Sequence, residues 1–254
     1  MKLARFKTGN VISYGLVEEN KIFQVSGSIF NDFKKTGEEF DLNTVKLLAP
    51  VEPSKIVAVG INYKGHAKEL NMPIPQEPIL FLKPATCIIA DGESVIYPSS
   101  VGQLDYEAEL AIIVKKKAKD VPEKKAKDFI LGYTCTNDVT ARDLQTKDGQ
   151  WCRSKSFDTF CPLGPFIVNN GIDPNNLDIK LYLNGILKQS SSTNDCIFRI
   201  EQLVSFISSV MTLLPGDVIS AGTPSGVGPM TIGDEVTVSI EKVCKLTNYV
   251  VGPK

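Results

Sequence analysis

The sequence predicts a β-rich α+β protein with a small N-terminal β unit in front of a larger β body. Short runs of β-branched and apolar residues recur along the chain and are separated by turn-forming residues. These strands do not alternate with long helices, which favours a mixed β-sandwich or roll over a doubly wound sheet. At 254 residues, 43% of them hydrophobic, the chain is long enough for one large domain with a small appendage.

Residues 1–50 are predicted to form the N-terminal unit. Its strands are expected over 2–7, 11–17 and 21–25, between polar turn residues. A short helix over 28–35, ended by Gly37, is expected to follow. Pro50 to Pro53 then forms a plausible linker.

The body, residues 53–254, is also predicted to consist mostly of strands. They are expected over 55–59, 79–82, 95–97, 107–114, 130–136 and 218–221. Asn184-Gly185 suits a type I′ turn and predicts a hairpin over 181–187, and a second hairpin is expected over 235–251.

Helices in the body are predicted to be few and mostly short. The best amphipathic pattern lies over 200–213, where apolar residues recur on one face. Shorter helices are expected over 66–70, over 122–128 and after Asp138.

Composition excludes several classes of partner. The net charge of −1 gives no reason to expect nucleic acid or an anionic membrane, and the lysines between 115 and 127 have no interleaved aromatic residues. The N-terminus turns polar too early for a signal peptide, and no apolar run is long enough to span a bilayer. The six cysteines contain no Cys-x-x-Cys pair and are expected to be reduced, which predicts a cytoplasmic protein.

Three acidic residues at alternate positions, Asp105, Glu107 and Glu109, are the most informative feature. In a strand they share one face, at a spacing of roughly 6.5–7 Å. Such a face suits a hard cation such as Mg²⁺ or Mn²⁺, but it is also typical of a charged edge strand facing solvent. If Asp105 is not a ligand, Asp138, just beyond a later strand, is the best candidate for the third.

His66, the only histidine, and the loop over 222–228 are further candidates for a functional site. Glu69 lies on the same helical face as His66 and could make it a general base, although such a pair can also be a simple surface contact. The Gly-rich loop could bind an anion through backbone N–H groups, or could merely connect two strands.

Taken in order, these motifs resemble the fumarylacetoacetate hydrolase family over roughly residues 53–251. The matching segments are Gly60-x-Asn62-Tyr63-x-x-His66-x-x-Glu69, Asp105-x-Glu107-x-Glu109, Asn137-Asp138-x-Thr140-Ala141-Arg142-Asp143-x-Gln145, Lys155-Ser156-Phe157-Asp158, Leu181-x-Leu183-Asn184-Gly185, and Pro215-Gly216-Asp217-x-Ile219 with Gly222-Thr223-Pro224-x-Gly226-Val227-Gly228. The resemblance implies the β-roll peculiar to this family, with residues 53–254 as the catalytic domain. It also implies a homodimer that binds Mg²⁺ or Mn²⁺.

The resemblance also assigns roles to individual residues. It implies that the metal ligands are Glu107, Glu109 and Asp138, with Asp105 beside the metal. It implies that His66 and Glu69 are a general acid/base pair on a mobile lid helix. The substrate contacts that it implies come from Arg142, Gln145, Lys155 and Thr223. The sequence departs from the family pattern at two places. Ile61 stands where many members of the family have an arginine or another long residue, and the segment 146–153 cannot be aligned with the family.

The expected activity is metal-assisted chemistry on a small 2-oxo acid through an enolate. Lys155 is counted among the catalytic residues because its charge assists an anionic substrate. Hydrolysis of a C–C bond in an acylpyruvate is favoured, because a base is present to activate water. Decarboxylation of oxaloacetate and keto–enol or double-bond isomerisation remain alternatives on the same residues. A catalytically silent dicarboxylate-binding protein and a nucleotide-binding enzyme using the 222–228 loop are less favoured.

Overall fold

The computed structural model describes residues 1–253 and confirms the predicted β-rich class. About 45% of the residues lie in strands and 17% in helices. Within the described residues the strands form three sheets, of twelve, five and three strands. No helix of residues 1–253 is long and apolar enough to cross a membrane.

The first fifty residues form five strands joined mainly by tight turns. They are β1 (Lys2–Thr8), β2 (Val11–Glu18), β3 (Lys21–Gly27), β4 (Phe33–Asp41) and β5 (Lys46–Leu48). The three predicted strands are present. The helix predicted over 28–35 is wrong, because Phe33 to Lys35 pair with β3 in an exposed hairpin. Cross-strand pairing here overrides the helical preference of Lys34 and Lys35.

The middle of the chain carries eight strands and three short helices, several of which line one cleft. They are β6 (Ile56–Gly60), α1 (Lys64–Glu69), β7 (Ile79–Lys83), β8 (Ile88–Ile89), β9 (Ser94–Ile96), β10 (Leu104–Tyr106), β11 (Ala108–Val114), β12 (Ile130–Asn137), β13 (Thr140–Ala141), α2 (Arg142–Asp148) and α3 (Cys152–Lys155). The helix predicted over 122–128 is a 3₁₀ helix, Glu123–Phe129.

The last third of the chain completes the sheets. Its elements are β14 (Cys161–Val168), β15 (Asp178–Leu183), β16 (Ile186–Ser192), α4 (Ile200–Val210), β17 (Val218–Ser220), β18 (Gly228–Met230), β19 (Glu235–Ile240) and β20 (Cys244–Val251). Asn184 and Gly185 both have positive φ, 52° and 76°, as the predicted type I′ turn requires. α4 ends at Val210, three residues earlier than predicted, because Leu213 bridges to Ala118 in an extended conformation.

The large sheet runs through both halves of the chain. Its order is β4-β3-β2-β1-β14-β12-β11-β17-β6-β7, with β5 added to β1 and β8 to β14. The pairing is mixed, since β17 runs parallel to β6 while most neighbours are antiparallel. The N-terminal strands therefore extend the sheet of the body through the β1–β14 pair.

The body is a sandwich in which the large sheet packs on the five-stranded sheet β16-β15-β19-β20-β9. β11 shows why its sequence is apolar throughout, because it is buried on both faces. Leu110 and Ile112 join the core shared with the five-stranded sheet, whereas Ala111 and Ile113 join a second core with Leu3. A strand covered on both faces reads as a continuous apolar run.

The strand predicted over 107–114 and its acidic extension are interrupted at Glu107. β10 pairs with β13 and β18 in the three-stranded sheet, whereas β11 pairs with β12 and β17 in the large sheet. Glu107 thus lies where the chain passes from one sheet to the other. Asp105, Glu107 and Glu109 are all buried, so the alternative of a charged edge strand facing solvent is wrong.

Candidate active site

The predicted site residues line one cleft of about 290 Å³ in the body. The ends of β6 and β11, helices α1 to α3 and the loop after β17 contribute its walls. His66, Glu107, Glu109, Asp138, Arg142, Gln145, Lys155 and Thr223 all line it. Glu69 lies behind His66, and Asp105 lies behind Arg142.

Three carboxylates form the centre of the cleft. One oxygen from each of Glu107, Glu109 and Asp138 lies within 4.8 Å of the others. These residues are only 5%, 2% and 1% exposed. Two hydrogen bonds fix the strand ends: Asp138 N–H donates to the carbonyl oxygen of Glu107 (2.9 Å), and Glu107 N–H to Oδ1 of Asn137 (2.9 Å). The cluster is therefore set by the backbones of adjoining strands.

Three cationic side chains form ion pairs with Glu107 and Asp138 of this cluster. Lys155 Nζ lies 2.7 Å from Glu107 Oε2 and 2.6 Å from Asp138 Oδ2. Lys83 pairs with Asp138, and both are buried. Arg142 binds Glu107 through one terminal nitrogen (2.5 Å) and Asp105 through Nε (2.7 Å). Buried charges need partners of this kind.

The surroundings separate the pKa values of the two glutamates. Burial acts to raise the pKa of Glu107, but Lys155 and Arg142 outweigh it and lower that pKa to about 2. Burial, with Asp138 and Glu107 nearby, raises the pKa of Glu109 well above its usual range. Glu109 has no ion-pair partner among the described residues; Ser220 and the N–H of Gly222 (2.9 Å) donate to it.

This donor set fits a hard divalent cation. Three carboxylates meet in a small volume, and one of them lacks a positive partner within the described part of the chain. Carboxylate oxygens are the ligands that Mg²⁺ and Mn²⁺ prefer. Glu107, Glu109 and Asp138 could hold such an ion, whose charge would stabilise Glu109 in its ionised form.

His66 and Glu69 lie on α1 at the side of the cleft. His66 Nδ1 lies 2.9 Å from Glu69 Oε2, and His66 is buried. The second oxygen of Glu69 accepts a hydrogen bond from Gly226 N–H at 2.9 Å. A carboxylate on Nδ1 fixes the tautomer, so Nε2 is the nitrogen left to accept a proton.

The loop over 222–228 binds carboxylates of the protein itself. Its N–H groups at Gly222 and Gly226 donate to Glu109 and Glu69. Gly222 has φ +93°, and an added Cβ would lie 2.7 Å from Asn62 Cβ, so glycine is required here. The loop thus joins the carboxylate cluster to α1.

Arg142, Gln145 and Thr223 face the cleft from two sides. Gln145 Oε1 accepts a hydrogen bond from Arg142. Thr223 Oγ1 accepts one from Gln189 Nε2 at 2.9 Å, which leaves its own O–H free to donate into the cleft.

Sequence reasoning missed Lys83, Phe81 and Trp151. Lys83 ends an apolar strand and precedes Pro84, which is a weak signal for a buried lysine. Trp151, the only tryptophan, packs on Gly60 so closely that an added Cβ there would lie 2.3 Å from its ring. Its ring also meets Phe81 edge-on, with centroids 5.4 Å apart.

Ile61, the predicted departure at the cleft, has an unusual backbone conformation. Its φ is +53°, which is rare for a β-branched residue, and it is buried against the cleft. The adjoining Asn62 holds this turn, since its side chain bonds to Phe198 and to the carbonyl oxygen of Ala221.

A β-rich fold with a buried carboxylate cluster beside a histidine–carboxylate pair defines the class of the protein: an enzyme with a candidate metal site. The chain belongs to the fumarylacetoacetate hydrolase family, because the family described as fumarylacetoacetate (FAA) hydrolase C-terminal matches residues 55–251. A second family, described as Rv2993c-like, N-terminal, matches residues 1–50.

Relatives and solved structures agree with this assignment. A protein of Archaeoglobus fulgidus is 52% identical over 96% of this chain and 95% of its own length. A mitochondrial oxaloacetate tautomerase of Xenopus laevis is 42% identical over 82% of this chain and 69% of its own.

Two solved structures cover the whole chain and are wholly covered by it. A 5-carboxymethyl-2-hydroxymuconate delta-isomerase of Mycobacterium smegmatis has a TM-score of 0.94 at 42% identity. A maleylpyruvate hydrolase of Sphingobium, in complex with manganese(II) and pyruvate, has a TM-score of 0.83 at 31% identity.

Proposed function

We propose that this protein is a divalent-metal-dependent enzyme that moves a proton at C3 of a small 2-oxo acid, between its keto and enol forms. The observation that carries the proposal is the convergence of two groups on one cleft. The buried Glu107–Glu109–Asp138 cluster is one, and the His66–Glu69 pair is the other. A cation site beside a general base is what enolate chemistry requires.

Mg²⁺ or Mn²⁺ is the proposed cofactor, held by Glu107, Glu109 and Asp138. Three buried carboxylates suit a hard ion, and the Sphingobium maleylpyruvate hydrolase contains manganese(II) together with pyruvate. When bound, the ion supplies positive charge that lowers the energy of an enolate.

Arg142, Lys155, Gln145 and Thr223 are proposed to bind the substrate. Three carboxylates and a divalent ion together keep a net negative charge, so an anionic substrate needs the cations of Lys155 and Arg142. The hydroxyl of Thr223, already an acceptor for Gln189, can donate to a carboxylate or oxo group. These groups fix the 2-oxo acid in one orientation.

His66 is proposed to take and return the proton. Glu69 accepts from Nδ1–H, which leaves Nε2 as the base and stabilises the imidazolium formed when C3 loses its proton. Glu69 in turn is held by Gly226 N–H. The base thus has a fixed tautomer and lies on a short helix that the Gly226 N–H bond joins to the 222–228 loop.

The relatives support proton transfer over bond cleavage. The tautomerase and the delta-isomerase are each 42% identical to this chain, whereas the maleylpyruvate hydrolase is 31% identical. Hydrolysis of an acylpyruvate is the second candidate, because a His66 base beside a cation site could equally activate water. Decarboxylation of oxaloacetate would use the same residues without a base.

A substrate panel in D₂O separates these reactions. Purified protein with Mg²⁺ or Mn²⁺ is mixed with oxaloacetate, an acylpyruvate and an oxo-dienoate, and NMR follows deuterium at C3, pyruvate and CO₂. Proton transfer predicts faster exchange at C3 and faster enol–keto conversion of oxaloacetate without pyruvate. Pyruvate and a carboxylic acid from the acylpyruvate would instead favour hydrolysis. Turnover that survives complete chelation, or none with any substrate, contradicts the proposal.

A further inference from the structure

Cys135 and Cys244 form a thiol pair that does not line the proposed active-site cleft. Their Sγ atoms lie 3.3 Å apart, although the residues are 109 positions apart in sequence. Cys135 lies in β12 of the large sheet, and Cys244 begins β20 of the five-stranded sheet. The pair therefore sits where the two layers of the sandwich meet.

Several contacts hold the two side chains against each other. Cys135 Sγ lies 3.1 Å from the carbonyl oxygen of Cys244, and Cys244 Sγ lies 3.2 Å from the carbonyl oxygen of Gly164. A disulfide has an S–S bond of about 2.05 Å, so only a small movement separates the thiols from a covalent link.

The two residues differ in their exposure to solvent. Cys135 is fully buried, whereas Cys244 is partly exposed and lines a surface cleft of about 640 Å³. Lys2, Lys242 and Lys245 line the same cleft, and Lys2 Nζ lies 3.8 Å from the centre of the Phe166 ring. Lys2 interacts electrostatically with Cys244, and positive charge near a thiol favours the reactive thiolate.

The surroundings lower the pKa of one thiol of the pair and raise the pKa of the other. Burial acts to raise the pKa of Cys244, but its hydrogen bonds with Cys135, Phe166 N–H and Thr134 outweigh it and lower that pKa. Burial and the neighbouring Cys244 raise the pKa of Cys135. Because Cys244 also lines the surface cleft, we expect its sulfur to react first.

We propose that Cys135 and Cys244 are a peroxide-oxidised pair that forms a reversible disulfide between the two sheets. The Cys244 thiolate attacks a peroxide oxygen, which forms an S–O bond, breaks the O–O bond and releases hydroxide. The Cys135 sulfur then attacks the Cys244 sulfenic acid, so that an S–S bond forms and the S–O bond breaks. With hydrogen peroxide, two thiols lose two protons and two electrons, and the peroxide becomes two waters.

The remaining cysteines offer internal controls. Cys152 is exposed and would also react, so Cys152→Ser serves as the background. Cys87 and Cys161 form a second neighbouring pair, but both are buried. Each of the six cysteines falls in its own tryptic peptide, with Cys135 in 128–142 and Cys244 in 243–245, so linked peptides identify the pair directly.

The experiment treats the Cys152→Ser protein with a small excess of hydrogen peroxide and digests it without reductant. A link between peptides 128–142 and 243–245, with loss of two of the five remaining thiols and reversal by dithiothreitol, is the expected result. Oxidation is also expected to raise the Tm by roughly 5–10 °C, because the link closes a long loop. A link between other peptides, or oxidation without any link to Cys244, overturns the proposal.

Serine variants test the order of the two steps in the same background. Cys135→Ser should stop the reaction at a Cys244 sulfenic acid that dimedone traps, with no rise in Tm. Cys244→Ser should leave Cys135 unmodified, because Cys135 is fully buried. The Tm values of the reduced variants establish that each is folded. Equal dimedone labelling of Cys135 in the Cys244→Ser protein would contradict the proposed order.

Discussion

His66 offers the sharpest test at the scale of single residues. In His66→Gln, the proton acceptor of the proposed mechanism is lost, while the carboxylate cluster is unchanged. We expect kcat to fall by roughly 10²–10⁴-fold, the usual range for a general base. Steady-state rates measure this effect, and calorimetric titration with Mn²⁺ is expected to give an unchanged Kd. An equal loss of Mn²⁺ affinity would assign His66 to the metal instead.

Substitution of Glu109 should weaken metal binding, in contrast to substitution of His66. Glu109→Gln removes the carboxylate that lacks a cationic partner among the described residues. We expect Mn²⁺ affinity to fall by more than about 100-fold, because loss of a residue that only hydrogen-bonds to a metal ligand already costs up to about 100-fold. Glu241→Gln, on a surface turn, is the matched control, and calorimetry measures both. Unchanged Mn²⁺ affinity in Glu109→Gln would place the ion elsewhere.

Individual residues of the site could be predicted where they lie in motifs, and not where only the fold brings them near. Glu107, Glu109 and Asp138 stand out as carboxylates at strand ends, and the structure places them together. Lys83 lies 55 positions from Asp138, and Ser220 lies 111 positions from Glu109. No local pattern links such partners, because β-sheet pairing over long sequence separations creates the contacts.

At the scale of elements, the start of β17 depends on one buried carboxylate. Asp217 accepts hydrogen bonds from Ser54 N–H (3.0 Å) and Leu214 N–H (2.8 Å), and pairs with Lys55 Nζ (2.5 Å). It therefore joins the turn before β17 to the beginning of β6. These contacts account for the aspartate of the Pro215-Gly216-Asp217 motif.

Asp217→Asn is expected to lower the free energy of unfolding by about 2–3 kcal/mol at neutral pH, since bonds to a charged group are lost. Burial acts to raise the pKa of Asp217, but Lys55, Ser54 and Leu214 outweigh it and hold the pKa below its usual value. The stabilisation is therefore complete above the unfolded pKa of about 3.9 and is lost as pH falls through the lower folded pKa.

Urea unfolding of wild type and Asp217→Asn from pH 7 down to acid pH measures this dependence. The stability difference should stay constant above about pH 5 and shrink as the carboxylate of the wild type is protonated. Asp120→Asn, on an exposed turn, is the control and should match wild type throughout. A difference that stays constant down to the lowest pH would show that the charge of Asp217 is not responsible.

Trp151 allows the walls of the cleft to be observed directly. As the only tryptophan, packed between Gly60 and Phe81, it should report ligand binding through its emission. We expect oxalate with Mn²⁺ to change the fluorescence saturably in wild type, and not in Glu109→Gln. A signal that is identical in both proteins would mean that oxalate binds away from the carboxylate cluster.

Most elements follow from sequence pattern, and the exceptions have physical causes. The type I′ hairpin at Asn184-Gly185 and the apolar strand β11 are local signals that the structure confirms. The break at Glu107 has no local signal, because it marks a transfer between two sheets. The exposed strand β4 is stabilised by pairing with β3, which single-residue propensities do not contain.

At the scale of the whole molecule, the N-terminal strands and the body share one sheet and one core. β1 pairs with β14, and Leu3, 1% exposed, joins the cluster that also holds Ile113 of β11. A continuous sheet and a shared core couple the stabilities of the two parts. We therefore predict that the full chain unfolds in a single transition, even though separate families match residues 1–50 and 55–251.

Leu3→Ala tests this coupling, because the truncated side chain belongs to β1 and fills the shared core, while Trp151 reports on the body. We expect a loss of about 3 kcal/mol and a fall in Tm of roughly 6–12 °C, with the same midpoint by tryptophan fluorescence and by circular dichroism. Val11→Ala, at a position 61% exposed on β2, is the control and should leave both midpoints unchanged. If the tryptophan midpoint of Leu3→Ala stays at the wild-type value while the circular dichroism midpoint falls, the first fifty residues unfold independently, and the shared sheet does not couple them to the site.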